Sequence, residues 1–497
     1  MPEQSQQTQG AAETTLEEAP VDSIIKGLDL DHEYDNLYGK ALSEMIKRLS
    51  EAGLEPRQWT FDKQRVDDFI AEIDQQLSAQ VNEILHNKDF QKLESAWRSL
   101  WYLVDNTEFR QNIRIEVLNA NKEDLLADFQ DCKDWQKSGL FKQVYRDQYN
   151  TFGGKPYGLM VSNYEFDYRN PDVELLSHIS RVSAVSKCPF IGGVSPKMFG
   201  KSEDSFTNLP KLPEMYEVFD GPMYTKWNAL RESDDARYIS LAMPRFLLRK
   251  PYTKEDQDVK DFAFEEDVRS ETHDRYLWGN ASFALAGRMT ESFANYGWYN
   301  HIVGPQSGGT VPNLPVHTYE AMGQVQAKIP TETLISEDMD VDLCNFGFTP
   351  LVMRRDSDNA AFFDAPSIKK VGKFPDTAQG KEDETRARLG MSFPYLMISC
   401  RLAHYLKVIW RENIGRVMDA EKMVAEINTW LKQYCRQGTL DDELAAKYPL
   451  KEIQVTAEPV PGKPGLFKSE VQMIPHFKLK GVEIQMSMVG QFDPPAA

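Results

Sequence analysis

Cysteine is scarce in this chain of 497 residues, and no two cysteines lie close together in the sequence. No CxxC pair occurs. Sparse and scattered thiols argue against a disulfide framework and against the common zinc and dithiol redox motifs. The five are Cys132, Cys188, Cys344, Cys400 and Cys435.

Targeting and membrane-spanning segments are lacking as well. The first 20 residues are polar and acidic, without the basic and apolar stretches of a secretory signal. The most apolar helix candidate is interrupted by Arg401, His404 and Lys407, so it is unsuited to crossing a bilayer. We therefore expect a soluble protein of the cytoplasm.

Catalytic motifs are missing too. The sequence contains no GxxxxGK[ST] phosphate loop and no HExxH, GxSxG or GxGxxG motif. Cys400 and His404 are spaced four residues apart on a predicted helix, but further metal ligands have no obvious source, so we interpret the pair as core. We expect no catalytic, cofactor-binding or metal-binding residues. An unfamiliar enzyme site around Gln306–Gly309 and Asp356–Asn359 stays open as the alternative.

The chain is strongly acidic, with 57 Lys and Arg against 76 Asp and Glu and a net charge of −19. Nucleic acids and anionic membranes attract cationic surfaces, so neither is expected as a main partner. The hydrophobic fraction of 41% is globular, and the length allows two to four compact units.

Residues 1–60 form a predicted flexible acidic arm with 12 acidic and 5 basic residues. Within it, four apolar residues at positions i, i+3, i+4 and i+7 predict one stripe on a short helix. Such a helix could pack on its own chain or dock into a partner's groove, and the periodicity leaves both possibilities open. The four are Val21, Ile24, Ile25 and Leu28.

Residues 61–105 are predicted to form a helical hairpin with two apolar stripes. The tryptophans of the second helix are interpreted as core or as contacts with a partner helix, rather than as ligand contacts. The first stripe includes Phe69, Ile73 and Leu77; the second includes Leu93, Trp97, Leu100 and Trp101.

The remainder predicts a mixed α/β fold in several domains. An α/β core follows the hairpin up to residue 370, with strands predicted at 112–118, 157–163, 188–194, 238–243, 302–303 and 346–353. A charged linker is predicted at 371–390, and residues 391–497 are expected to form two helices and an antiparallel meander. The last strand of that meander contains Val482, Ile484, Met486 and Met488, which alternate in the sequence.

Seven longer strings are distinctive, and they are ILHNKDFQKLESAWRSL (84–100), YTKWNALRESDDARYISLAMPRFLLRKPY (224–252), HDRYLWGNASFALAGRMTESFANYGW (273–298), IVGPQSGGTVPNLPVH (302–317), KIPTETLIS (328–336), DSDNAAFF (356–363) and LAHYLKVIWRENIG (402–415). In this colinear order they resemble the large subunit of the type VI secretion contractile sheath, the TssC/VipB family, and the similarity runs from about residue 60 to the C-terminus.

The resemblance implies a mechanical part with a fold like that of phage tail sheaths. In this family the large subunit pairs with a small subunit, TssB/VipA, and the heterodimers stack helically around a tube of Hcp. The sheath contracts to propel that tube from a baseplate, and the ATP-dependent unfoldase ClpV later disassembles it. A single-chain, phage-like sheath homopolymer is the main alternative.

The resemblance also suggests three sets of functional residues. Val21, Ile24, Ile25 and Leu28 occupy the place of the helix that the unfoldase grips. The hairpin at 61–105 is the expected contact for the small subunit. Val482–Val489 is suited to strand exchange between copies, because a strand near a chain end has an unpaired edge.

Overall fold

The computed structural model describes the chain between residues 63 and 492, with gaps. The arm at 1–60 therefore lies outside the described residues. So does the stretch 61–62 that opens the predicted hairpin. The gaps are 152, 201–204, 212–217, 255–261, 263, 269–272, 322, 355–356, 373, 413–419, 439, 460–466 and 477–485.

The described residues form helices and strands throughout. In chain order the helices are α1 (Lys63–Leu85), α2 (Lys88–Asp105), α3 (Lys122–Asp131), α4 (Asn170–Ser186), α5 (Thr225–Glu232), α6 (Ala281–Tyr296), α7 (Glu337–Asn345), α8 (Ala378–Gly390), α9 (Phe393–Glu412), α10 (Ala420–Leu431) and α11 (Asp442–Lys447). The strands are β1 (Met160–Phe166), β2 (Phe190–Val194), β3 (Ile239–Met243), β4 (Phe246–Leu247), β5 (Trp278–Gly279), β6 (Thr310–Val311), β7 (His317–Ala321), β8 (Gln324–Lys328), β9 (Phe348–Met353), β10 (Ala360–Phe362), β11 (Leu450–Pro459), β12 (Phe467–Pro475) and β13 (Met486–Phe492).

The chain divides into two compact units at Val81, within α1. Among the described residues, the small unit holds α1 up to Val81 together with Phe262 and Phe264, whose rings stack with centroids 5.8 Å apart. The large unit holds the rest from Asn82 onward, and every element from α2 to β13 belongs to it.

A six-stranded sheet with the order β1-β2-β3-β9-β10-β6 forms the centre of the large unit. The pairs β1–β2, β2–β3 and β3–β9 are parallel, and β10 runs antiparallel to both β9 and β6. The two central strands β2 and β3 are short, largely apolar runs, which is typical of strands covered on both faces. β2 and β3 are buried at every position.

Helices cover both faces of this sheet. Successive strand residues point to opposite faces, and Phe190 and Ile191 of β2 belong to two different core clusters. The Phe190 cluster contains α4, and the Ile191 cluster contains α6. α6 begins very close to the sheet. A Cβ atom on Gly193 of β2 would lie only 2.3 Å from the side-chain Nδ2 atom of Asn280, the N-cap residue of α6. The result is a three-layer α/β sandwich.

The C-terminal part has its own core. The antiparallel sheet β11-β12-β13 is the predicted meander. Leu402 and Leu406 of α9 pack with Val455 of β11, Val471 of β12 and Leu431 of α10 in one buried cluster. The mixed α/β fold with a C-terminal antiparallel meander is thus confirmed.

Two predicted strands are not found among the described residues, and another strand begins later than predicted. Residues 112–118 form no strand, and neither do Ile302 and Val303, although Ile302 is completely buried. The charged stretch predicted as a linker contains α8, which has no apolar stripe and which helical periodicity therefore could not reveal. The first strand also lies later than predicted, at Met160–Phe166 instead of 157–163.

Candidate assembly surfaces

Helix α2 exposes a row of large apolar side chains, which we call the α2 stripe. The Asn87 side chain accepts hydrogen bonds from the amides of Asp89 and Phe90 and so starts the helix. Apolar residues then recur every three or four positions on the side away from the core. The exposed fractions of the stripe are Phe90 37%, Leu93 56%, Trp97 65%, Trp101 62% and Val104 39%.

The opposite face of α2 is fixed by polar contacts with the core. The Ser95 hydroxyl donates to the Trp278 carbonyl at 2.7 Å, and Arg249 donates to Glu94 at 2.9 Å. Burial alone would raise the pKa of Glu94, but Arg249 and Arg98 outweigh it, so the pKa is lowered. This face therefore holds α2 in place while the stripe stays uncovered.

The residues predicted to contact the small sheath subunit fall in both compact units of this chain. In the large unit Leu93, Trp97 and Trp101 are exposed, whereas Leu100 is half-buried. In the small unit Ile73 and Leu77 are exposed. The Phe69 side chain lies outside the described residues, as do Val21, Ile24, Ile25 and Leu28.

The C-terminal meander has one covered edge and one open edge. The Asn428 side chain of α10 donates to the carbonyl of Val455 at 2.9 Å and accepts from its amide at 2.8 Å, so it blocks the outer edge of β11. β13 pairs with β12 through Met486 opposite Met473 and Met488 opposite Val471. Within the described chain no strand pairs with the other edge of β13. Val482 and Ile484 lie outside the described residues.

A partly buried ionic cluster, with Glu332 at its buried end, lies at the carboxyl ends of the parallel strands, where α/β proteins commonly bind ligands. Arg245, just after β3, pairs with Glu165 of β1 at 2.5 Å. Glu332 accepts from His273 at 3.2 Å and from the Phe206 amide at 3.0 Å. Burial tends to raise the pKa of Glu332, yet His273 and Arg245 lower it overall. These groups pair with one another and tie loops together.

The glycine-rich loop directs its amides inward. Gly304 and Gly309 donate to the carbonyls of Phe362 and Gly304 at 2.7 and 2.9 Å, and Ser307 donates to Gly304 at 3.2 Å. Those three amides are thus engaged within the protein. Within the described ranges no group of three or more His, Cys, Asp or Glu residues could hold a metal ion. Nor does any described helix combine the length and apolarity required to span a membrane.

Sequence reasoning missed the basic face of α9. Its cationic residues contact the α/β sandwich. Arg401 lies over the Phe293 ring at 4.4 Å, and Lys407 lies over the Tyr149 ring at 4.6 Å. Lys407 also donates to the Val185 carbonyl at 3.2 Å, and His404 contacts the Ser186 carbonyl at 3.1 Å.

These contacts form a defined junction, which we call the α9 junction. Arg401, His404 and Lys407 recur every three residues and therefore share one side of the helix. Val185 and Ser186 are the last residues of α4, where carbonyls lack helical partners and attract donors. The signal in the sequence was the spacing of cations on an otherwise apolar helix.

The α9 junction predicts acid sensitivity. Burial lowers the pKa of His404 from 6.5 to about 4, and the charges of Lys407 and Arg401 lower it further. The hydrogen bond to the Ser186 carbonyl acts in the opposite direction and raises it. The pKa of His404 is lower in the folded chain than in the unfolded one. Its contribution to stability is therefore fully present above pH 6.5 and is lost as the pH falls toward 4. We expect a loss of about 1.4 kcal/mol per pH unit in that window.

Urea unfolding of the purified protein between pH 7.5 and pH 4.5 measures this effect. The variant His404→Gln keeps a donor for Ser186 but cannot titrate, so its stability should fall less steeply over the same range. Equal slopes for the variant and the unaltered chain would contradict the role assigned to His404.

Comparison with known proteins adds two findings. The tail sheath N-terminal domain of the VipB family (EvpB/VC_A0108) matches residues 67–369, and the tail sheath gpW/gp25-like domain of the same family matches residues 382–492. A curated relative, the type VI secretion system sheath protein TssC1 of Pseudomonas aeruginosa, is 38% identical over 459 residues, which is 91% of each chain. The α9 junction joins the two matched regions.

Proposed function

The chain belongs to the VipB (EvpB/VC_A0108) family of tail sheath proteins and is a structural sheath subunit, and from this premise we propose that it is the large subunit of a type VI secretion contractile sheath. It co-polymerises with a small subunit of the TssB/VipA family and with copies of itself around an Hcp tube. Assembly starts at a baseplate in the cytoplasm, and contraction drives the tube out of the cell.

The observation that carries this proposal is the α2 stripe. Trp97 and Trp101 are 65% and 62% exposed, although tryptophan is normally well buried. An exposed apolar row on a helix that is anchored from behind is typical of a protein-binding surface. We assign it to the small subunit, together with the exposed Ile73 and Leu77 of α1. The Leu100 side chain, half-buried, lies at the border of this surface.

The open edge of β13 supports a second contact, between copies of the chain. A strand from a neighbouring copy can extend the sheet there through main-chain hydrogen bonds. The opposite edge is closed by Asn428 at Val455, so addition at β13 is favoured. Val482, Ile484, Met486 and Met488 are the residues proposed to take part in this exchange.

Electron microscopy of the chain co-expressed with its small-subunit partner tests the proposed function. We expect striated hollow tubes that need both chains. Tubes formed by this chain alone would instead indicate a phage-like homopolymer, which the type VI relative does not favour. A complex that never forms, with a stable monomer in its place, would refute the proposal.

We also propose that the arm carries the recognition helix for the ClpV unfoldase. The apolar spacing of Val21, Ile24, Ile25 and Leu28 supports this assignment, since it predicts one continuous apolar stripe. ATP is then consumed by the unfoldase, and the sheath subunit itself needs no cofactor.

Changing Ile24 and Ile25 to Asp should abolish ClpV binding and disassembly while sheath tubes still form. Charges on the apolar stripe remove the contact, but they leave the domains from residue 63 onward unaltered. Pull-down with ClpV and a disassembly assay with ATP measure both effects. Changing Asp22 and Lys26 to Ala provides the control, because neither residue is in the stripe. ClpV binding that persists in the Asp variant would contradict this assignment.

A further inference from the structure

Residues 112–118, which we call the 112–118 segment, have the sequence of a strand, but no strand of the described residues pairs with them. The segment follows a turn of 3-10 helix at Phe109–Gln111, and Asn112 adopts a left-handed conformation with φ of 58°. Ile113, Ile115 and Val117 alternate with polar residues and are β-branched, as strand residues commonly are. The local sequence and the isolated fold therefore disagree here.

The main chain of the segment is unpaired within the described residues. No backbone–backbone hydrogen bond there involves residues 113–118. Tyr157 donates to the Glu116 side chain, and Tyr164 donates to the Ala120 carbonyl at 2.6 Å, so the segment is tethered at its end. A tethered stretch with the sequence of a strand, whose amides and carbonyls make no backbone–backbone hydrogen bond within the described residues, can accept another strand.

The apolar side chains of the segment become more exposed to solvent toward its C-terminal end. Ile115 packs in a cluster with Leu103 of α2 and Phe283 of α6. Val117 shares the side of Ile115 by alternation, yet it is 69% exposed, and Leu118 is 49% exposed. Exposed apolar side chains therefore recur along the sequence beyond the end of α2, at Phe109 and again at the end of the segment.

We propose that the 112–118 segment pairs with a β-strand of the small sheath subunit, the same partner that covers the α2 stripe. This inference rests on the proposed function. The segment and α2 share the cluster of Leu103 and Ile115, so one partner molecule can cover both. The open edge of β13 is already proposed for contacts between copies of this chain. The 112–118 segment is therefore assigned to the small sheath subunit.

Proline substitutions test the pairing in the co-expressed complex. Successive amides of a strand point to opposite edges, and proline removes its own amide. Either Val117→Pro or Leu118→Pro, but not both, should therefore reduce recovery of the small subunit about tenfold. The variant Val117→Thr keeps both the amide and the branched side chain, and it should bind normally. Equal effects of the two prolines, or no effect of either, would overturn the proposal.

Hydrogen exchange separates this inference from the function on which it rests. In the heterodimer we expect alternate amides of 113–118 to be protected. Suppose that the small subunit binds and that binding requires Trp97, but these amides still exchange freely. Only the strand pairing is then refuted. If the small subunit does not bind the unaltered chain, the proposed function itself fails. Protection that arises only in assembled sheath would identify a second copy as the partner and would overturn this assignment.

Discussion

Changing Trp97 and Trp101 to Glu should leave the fold intact and abolish binding of the small subunit. Both side chains are more than half exposed, so the isolated fold depends little on them. At an interface, a buried tryptophan commonly contributes about 2 kcal/mol or more. Losing two should weaken binding by roughly a hundredfold or more, even without full additivity. Co-purification through a tag on this chain measures the loss.

A matched control uses an exposed apolar residue outside the stripe. Met223 is 54% exposed and lies in a short helical turn at Pro222–Tyr224. Met223→Glu should therefore retain the small subunit at the normal ratio. Circular dichroism should show the same folded content for both variants. A tryptophan double variant that still co-purifies the small subunit would contradict the proposed contact.

Deleting residues 482–497 should give heterodimers that form no tubes. The deletion removes β13, the strand whose outer edge is open, but it leaves the α2 stripe and the six-stranded sheet unchanged. The strand proposed to pair between neighbouring copies is then missing, whereas the proposed contact with the small subunit does not involve it. Size-exclusion chromatography and electron microscopy measure the two steps separately.

The shorter deletion of residues 493–497 is the control, because it spares β13. Normal tubes are expected from it, which separates loss of the strand from shortening of the chain. If the longer deletion also produced normal tubes, strand exchange at β13 would be excluded.

Local sequence patterns predicted those elements in which a regular apolar pattern and burial occur together. β2 and β3 are short, continuous apolar runs, and they proved to be central strands buried at every position. The meander was predictable because alternating residues flank the sequence PVPGKPG at 459–465, whose prolines and glycines favour a turn. Ile302 shows the limit, since apolarity predicts burial but does not specify a ladder partner.

The surface was harder to predict than the fold. Helical spacing identified the apolar residues of α2, but it left open whether Trp97 and Trp101 were core or partner contacts. That choice depends on which side of α2 meets α6, and the contact joins residues far apart in the chain. Leu103 on the same helix is 6% exposed, so burial differs between faces that the sequence alone does not distinguish.

We expect the α9 junction to transmit force between the two matched regions in a contracting sheath. Tension applied to the C-terminal meander enters α9 through its shared core and passes to α4 and the neighbouring aromatic rings. Several cation–ring contacts and carbonyl hydrogen bonds lie together there, so we expect them to resist displacement as a group. The two sheath domains would then turn as one stiff lever. The compliance that allows a sheath to shorten would lie in the links between subunits.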